Sequence, residues 1–453
     1  MKFLVYILTV VCFPLLIAAQ QTTGKQLEKK LDNFLSTEIK SSEPGYQVLI
    51  AKSGQVIYNK AFGLADLELG VPIKADMVFN LASVTKQFTA VAILQLVEQG
   101  KISLSDSLQK FIPDYPFKVG IITIENLLTH TSGIKDYLQI AFPTPFLERW
   151  DFAPKQLIDS FKYHPLEFMP GTKYSYSNSG YFLLGYIIEK VSGKSYQQYI
   201  RENLLTSAGL ANSNFDWDNH IIPGRVKGYV KADASFKNIN YMSPSIQYAA
   251  GGLISNVEDL YTWHKALYSY RLLKKESLEK AFSPFRLKDG SVTNYGYGWN
   301  INTYNGIKVI EHQGALPGFS AQVMYFPDDD VFMAILCNNG GISINKIVNN
   351  VAALVLNKPL QADIRLSEKE FDSYAGTYQL VNNPGRTAKL YKMNGSLVAE
   401  VTNAELLLIL FQSPTKFQFK NLPDANCEFI LENGKVTKFT VTQNGYFEWR
   451  RIE

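Results

Sequence analysis

Apolar residues recur along this chain in two rhythms, one helical and one alternating. Between positions 24 and 40, Leu27, Leu31, Phe34, Leu35 and Ile39 fall at helical spacing, which predicts a helix laying one apolar stripe on the body. Two strand-like runs follow, Tyr46 to Lys52 and Gln55 to Phe62, joined through Ser53-Gly54 as a hairpin. From Phe88 to Val97 eight of ten residues are apolar, so Ala82 to Gln99, stopped by Gly100, reads as a helix buried on all sides. Residues 101 to 290 mix turns with helical patterns such as Tyr181 to Val191 and Val257 to Tyr268, and read as a mostly helical insertion. Strand patterns return at Tyr295 to Thr303, Ile307 to Glu311, Ser320 to Phe326 and Val331 to Leu336, before a closing helix over Ile344 to Leu356.

This order predicts an α+β domain over 24–357. One antiparallel sheet is built from both ends of the segment, flanked by helices, with the helical insertion packed against it. After Asn357-Lys358-Pro359 the pattern changes. Residues 368–453 carry short strand runs separated by Asn-Gly pairs at 394/395, 433/434 and 444/445, the strongest short-range hairpin signal, and form a separate antiparallel β domain.

Composition narrows the function classes. The 453 residues are 46% hydrophobic and 19% charged, which is globular rather than disordered. Forty-five Lys and Arg against 41 Asp and Glu leave a formal charge of +4 with no basic run, so nucleic acid is not an expected partner. Met1-Lys2 precedes an apolar run, Phe3 to Ala18, that ends in small residues before Gln20. This predicts a signal peptide over 1–19, cleavage near Ala19 and export to the periplasm or exterior. An uncleaved anchor is the competing reading, at the short end for a span, and no later segment is long enough to cross a membrane. Beyond Cys12 only Cys337 and Cys427 remain, and sequence leaves their pairing open. The histidines, 130, 164, 220, 264 and 312, show no metal-ligand spacing, so no metal or cofactor is expected.

Three short motifs carry candidate chemistry. In Ser83-Val84-Thr85-Lys86 a lysine lies one helical turn from a hydroxyl, close enough to take its proton. The Ser-x-x-Lys pattern recurs at Ser107, Ser132, Ser277, Ser343 and Ser413, but only Ser83 opens an all-apolar helix, where a lysine needs a polar cleft to point into. Tyr176-Ser177-Asn178 offers a phenol that could act as a base if an ammonium such as Lys86 lowered its pKa, and an amide to hold a substrate carbonyl. Alone it reads better as a turn satisfying its own backbone, and it counts only in combination with the other motifs. His312-Gln313-Gly314-Ala315 follows the run Ile307 to Glu311. The glycine admits close approach, the imidazole could bind a carboxylate, and the Ala315 N–H could be half of an oxyanion hole.

Taken in order, Ser83-x-x-Lys86, Tyr176-x-Asn178 and His312-x-Gly314 resemble the serine beta-lactamase-like superfamily: class C beta-lactamases, penicillin-binding DD-peptidases, D-aminopeptidases and related esterases. Leu127-Leu-Thr-His-Thr-Ser-Gly133, Pro170 to Asn178, Ala250-Gly-Gly-Leu-Ile-Ser255 and His312 to Phe319 look like the same family, and the resemblance spans about residues 25 to 357. It implies a beta-lactamase/transpeptidase-like fold and acyl transfer. Ser83 would be the nucleophile, Lys86 and Tyr176 the proton carriers, Asn178 and His312 substrate contacts, and the N–H groups of Ser83 and Ala315 the oxyanion hole beside Gly314. Lactamases and DD-peptidases of the family commonly carry Lys-Thr-Gly as the third motif. The histidine here favours D-aminopeptidase-like or esterase-like chemistry on a small-molecule or short-peptide substrate. A beta-lactamase, or a non-catalytic binder of cell-wall peptides, is the alternative. The C-terminal β domain resembles lipocalin-like extensions of such peptidases.

Overall fold

A computed structural model describes residues 24–453 apart from 117–119, 141–148, 217–220, 233–234, 305, 341, 343, 359–367, 394–395, 403–405, 412, 420–421, 433 and 443–445. The expected signal peptide lies outside the described residues.

Helix α1 (24–38) buries Leu31 and Leu35 completely, as its stripe requires. Strands β1 (Tyr46–Lys52) and β2 (Gln55–Phe62) pair antiparallel with Lys52 opposite Gln55. Ser53 and Gly54 both adopt positive φ, 50° and 75°, the left-handed pair a two-residue hairpin turn needs. Helix α2 (Thr85–Glu98) is preceded by a 3-10 turn, Ala82–Val84. It buries every residue from Thr85 to Leu94, and so runs through the interior. Around it pack α3 (Asn178–Ser192), α4 (Pro244–Gly251) and α5 (Val257–Tyr268), the last through the Phe88–Trp263 stack at 4.0 Å between ring centroids.

Strands β3 (Asn300–Tyr304), β4 (Ile307–Leu316), β5 (Phe319–Phe326) and β6 (Val331–Cys337) complete one antiparallel sheet of order β3-β4-β5-β6-β1-β2. The sheet therefore joins both ends of the segment, with β6 beside β1 in the register Tyr46 to Cys337. β1, apart from Lys52, and β6 are buried along their length, so both faces of the sheet are covered there. Helix α6 (Ile344–Leu356) has the bounds its periodicity predicts.

The structure corrects three sequence expectations. Tyr295 to Trp299 is not strand: Gly298, at φ +88°, folds this segment against α2, where an added Cβ would sit 3.0 Å from Ala90 Cβ and the Lys86 carbonyl. Strand β4 does not end at Glu311 but carries His312 to Ala315 within it. The helical insertion also holds short strands, among them Asn214–Phe215, Tyr229–Ala232, Ser235–Asn238 and Leu253–Ser255. Cys337 and Cys427 are both free and buried.

The chain divides into two compact units, one running to Ile344 with Leu354–Leu356, the other Asn345–Ala353 with Asn357–Glu453. In the second, eight antiparallel strands, β7 (Gly376–Leu380), β8 (Asn383–Met393), β9 (Ser396–Val401), β10 (Leu407–Phe411), β11 (Lys416–Phe419), β12 (Leu422–Glu432), β13 (Lys435–Thr442) and β14 (Tyr446–Arg451), close into a barrel. Closure is made where Tyr378 of β7 faces Arg451 of β14. Inward side chains including Tyr378, Phe417, Phe429, Phe439 and Trp449 fill the interior, as expected for eight strands, and no edge strand remains. No helix among the described residues is long and apolar enough to cross a membrane.

Candidate active site

The turn before α2 is held in place by its neighbours. The Leu81 N–H donates to the Leu253 carbonyl at 2.9 Å, and the Leu253 N–H donates to Thr85 Oγ1 at 3.1 Å. Between them Ala82 is forced to φ +47°, a strained conformation for a residue with a Cβ. Ser83 follows, partly exposed, with Lys86 one turn later and wholly buried.

Lys86 Nζ meets three acceptors: Ser83 Oγ at 3.0 Å, Asn178 Oδ1 at 2.8 Å and the Ala250 carbonyl at 2.8 Å. Burial pulls its pKa down to about 7, against a smaller upward pull from the charge of Asp136. The amide and the carbonyl can only accept. A neutral amine therefore spends both its N–H bonds on them and turns its lone pair to Ser83. This is the geometry of a base for that hydroxyl.

Tyr176 interacts with Ser83 through its hydroxyl, and its ring lies 4.8 Å from Lys86 Nζ. The expected lowering of this phenol's pKa is reversed. Burial drives it well above its ordinary value, outweighing the bond to Ser83, and Tyr174, Tyr181 and Asp136 add to the rise. Tyr176 is held neutral here, and Lys86 is the group poised near neutrality.

His312 is 2% exposed. Its Nδ1 lies 2.7 Å from the Gln313 carbonyl, which can only accept, so Nδ1 carries the proton and Nε2 accepts from the Tyr295 hydroxyl at 2.8 Å. Burial, and then the nearby Lys86, push its pKa down to about 3. Both ring nitrogens are committed and the ring is neutral, so it offers a substrate carboxylate no cation. Gly314 is dictated by contact: a Cβ there would sit 2.1 Å from the Leu81 carbonyl oxygen and 3.1 Å from Ser83 N. Beyond Glu311 β4 has outrun β3, so the edge holding Gly314 and Ala315 lies against the Ser83 turn instead of a strand.

All the sequence-predicted positions thus gather in one place: Ser83, Lys86, Tyr176 and Asn178 by direct bonds, His312 at 6.3 Å ring to ring from Tyr176, Gly314 against the Ser83 turn, and Ala315 beside it. Sequence reasoning missed Asp136, whose buried carboxylate accepts from Asn178 Nδ2 at 2.8 Å, and Tyr295. His130, in the segment Leu127 to Gly133 that resembles the family, carries no role that spacing alone assigns. At φ +57°, His130 accepts the Ser177 N–H at Nδ1 and packs at a tilt against Tyr176, 4.2 Å between ring centroids. Nothing in local spacing separates Asp136 from a surface acid.

Comparison with known proteins follows the same lines. Penicillin-binding protein 4* of Bacillus subtilis (strain 168) is 28% identical over 428 residues, 88% of this chain and 92% of that one. A D-stereospecific amidohydrolase from Streptomyces sp. superimposes with a TM-score of 0.62 at 26% identity, covering 73% of this chain and 99% of its own. The octameric penicillin-binding protein homologue from Pyrococcus abyssi shares the fold at TM-score 0.65 and 24% identity, over 93% and 99% of the two chains. The beta-lactamase family model matches residues 25–355, so this chain belongs to the beta-lactamase family and is a serine hydrolase.

Proposed function

We propose that the chain hydrolyses D-amino-acid amides, short peptides or small esters through an acyl-enzyme on Ser83. The observation that carries this is the Lys86 amine, held by two obligate acceptors with its lone pair toward Ser83 Oγ and a pKa brought down to about 7.

In acylation the Ser83 proton passes to Lys86 as Oγ bonds to the substrate carbonyl carbon. The oxyanion that forms is met by the N–H groups of Ser83 and Ala315, a contribution of about 10²–10³ per donor in rate. Lys86 returns the proton through Tyr176 to the departing nitrogen or oxygen, and the acyl bond to the leaving group breaks. Water then gives a proton along the same path, attacks the ester and releases the acid, and Ser83 Oγ regains its hydrogen. Asn178 and His312 border the acyl group.

The neutral His312 supports amide and ester donors over substrates that must anchor a carboxylate, and the D-stereospecific relative supports the D configuration. A panel of D-amino-acid p-nitroanilides, p-nitrophenyl esters and benzylpenicillin tests this. The amides or esters are expected to exceed penicillin in kcat/KM by at least about tenfold, and penicillin as the best substrate would overturn the assignment. Export with cleavage near Ala19 is part of the proposal, supported by the apolar run Phe3 to Ala18. A secreted product beginning at Gln20 is expected, and retention of Met1 in it would contradict export by cleavage.

A further inference from the structure

Asp136 is 7% exposed, and among the described residues no ion pair joins it. Its Oδ2 accepts the Asn178 side-chain N–H at 2.8 Å and the Asn178 backbone N–H at 3.2 Å, and its Oδ1 accepts the Leu138 N–H at 3.0 Å. Burying a carboxylate without a bonded cation is costly, so a fold that does it keeps it for a reason.

The chemistry of the amide supplies one. An ionised carboxylate only accepts, so the NH₂ of Asn178 must face Asp136, and its oxygen must then face Lys86. That oxygen is one of the two acceptors that hold the lysine's N–H bonds and leave its lone pair for Ser83. We infer that Asp136 is a positioning residue: through Asn178 it fixes the orientation of Lys86 toward Ser83, and its charge acts on the same amine. This rests on the proposed role of Ser83.

Among the described residues, the other groups that face Lys86 bring no charge. From the loop before α3 comes Tyr176, and from α3 Tyr181, with their rings at 4.8 and 5.6 Å; both phenols are held neutral by burial. From β4 comes His312 and from the 127–133 segment His130, both held neutral by burial. From α4 comes the Ala250 carbonyl. Asp136 is therefore the charge that opposes the lysine's desolvation, and removing it lowers the proton affinity further.

The test is the rate at which a fluorophosphonate labels Ser83, measured from pH 5 to 9 on wild type and Asp136→Asn, with thermal melts to confirm folding. Wild type should show an acid limb centred near pH 7. In Asp136→Asn, where the Asn178 amide is free to flip, the midpoint should fall by about one unit and the plateau by about tenfold or more. A folded variant with wild-type midpoint and plateau overturns the inference. Should Asp136→Asn not fold, Asp136→Glu decides: an unmoved midpoint with a plateau lowered about threefold or more supports the role, and an unchanged plateau overturns it. Wild type that forms no adduct on Ser83 defeats the proposed function, and this inference with it.

Discussion

Lys86 gives up solvent entirely, and the consequence is a linkage that can be read in stability. Burial depresses its pKa from 10.5 to about 7, so between those values the unfolded chain binds a proton that the folded chain does not. Burying the amine carries no charge penalty above 10.5, and the penalty grows as pH falls toward 7. Lys86→Met removes the linkage. Relative to that variant, wild type should therefore gain up to about 1.4 kcal/mol per pH unit as pH rises from 7 toward 10, measured by denaturant unfolding. A flat difference across this range would show that the ammonium is not desolvated. Turnover should be lost in the variant. Tyr295→Phe leaves the buried Nε2 of His312 without its donor and should cost about 1–3 kcal/mol, with normal stability contradicting the His312 assignment. The motif positions were legible because their chemistry lies in fixed spacing: Ser83 and Lys86 are one helical turn apart. Asp136 and Tyr295 were not, because each acts on a residue distant in sequence, across a contact that only the fold creates.

At the scale of elements, the site is a meeting of α2 with the outrunning edge of β4. Gly314 is where they touch, and Gly314→Ala would put a methyl 2.1 Å from the Leu81 carbonyl oxygen. The strand must retreat, and because displacement of about 1 Å at a reacting centre can cost about 100-fold, the variant should fold yet lose about that much in kcat/KM. Wild-type activity in a folded Gly314→Ala would mean that this edge does not form part of the site. The Phe88–Trp263 stack ties α2 to α5, and Trp263→Ala should lower stability by about 3–5 kcal/mol. Strand and helix bounds at β1, β2, α5 and α6 were legible, since each is a clean run bounded by turn residues. The strand expected at Tyr295 to Thr303 failed in its first half. There Gly298 serves a close approach to α2, and Gly296 one to the Ala281 carbonyl, that alternation alone does not reveal.

For the whole molecule, the two units have separate cores. The barrel's hairpins were legible from the Asn-Gly pairs, and strands do flank each of them: Met393 faces Ser396, Glu432 faces Lys435 and Thr442 faces Tyr446. Closure was not legible, because the pairing of β7 with β14 joins segments more than 60 residues apart. A closed barrel with a filled interior should fold alone. The fragment 364–453 should melt cooperatively, with Trp449, 6% exposed and stacked on Phe439, emitting in the blue, and red-shifted emission without a transition would contradict it. The central claim concerns one atom in the full chain, Ser83 Oγ, and the most direct measurement is the intact mass of wild type and Ser83→Ala after exposure to a fluorophosphonate. The account predicts a single adduct on wild type, mapped to the Ser83 peptide and absent from the variant. A folded wild type with no adduct, or an equal adduct on Ser83→Ala, would contradict it.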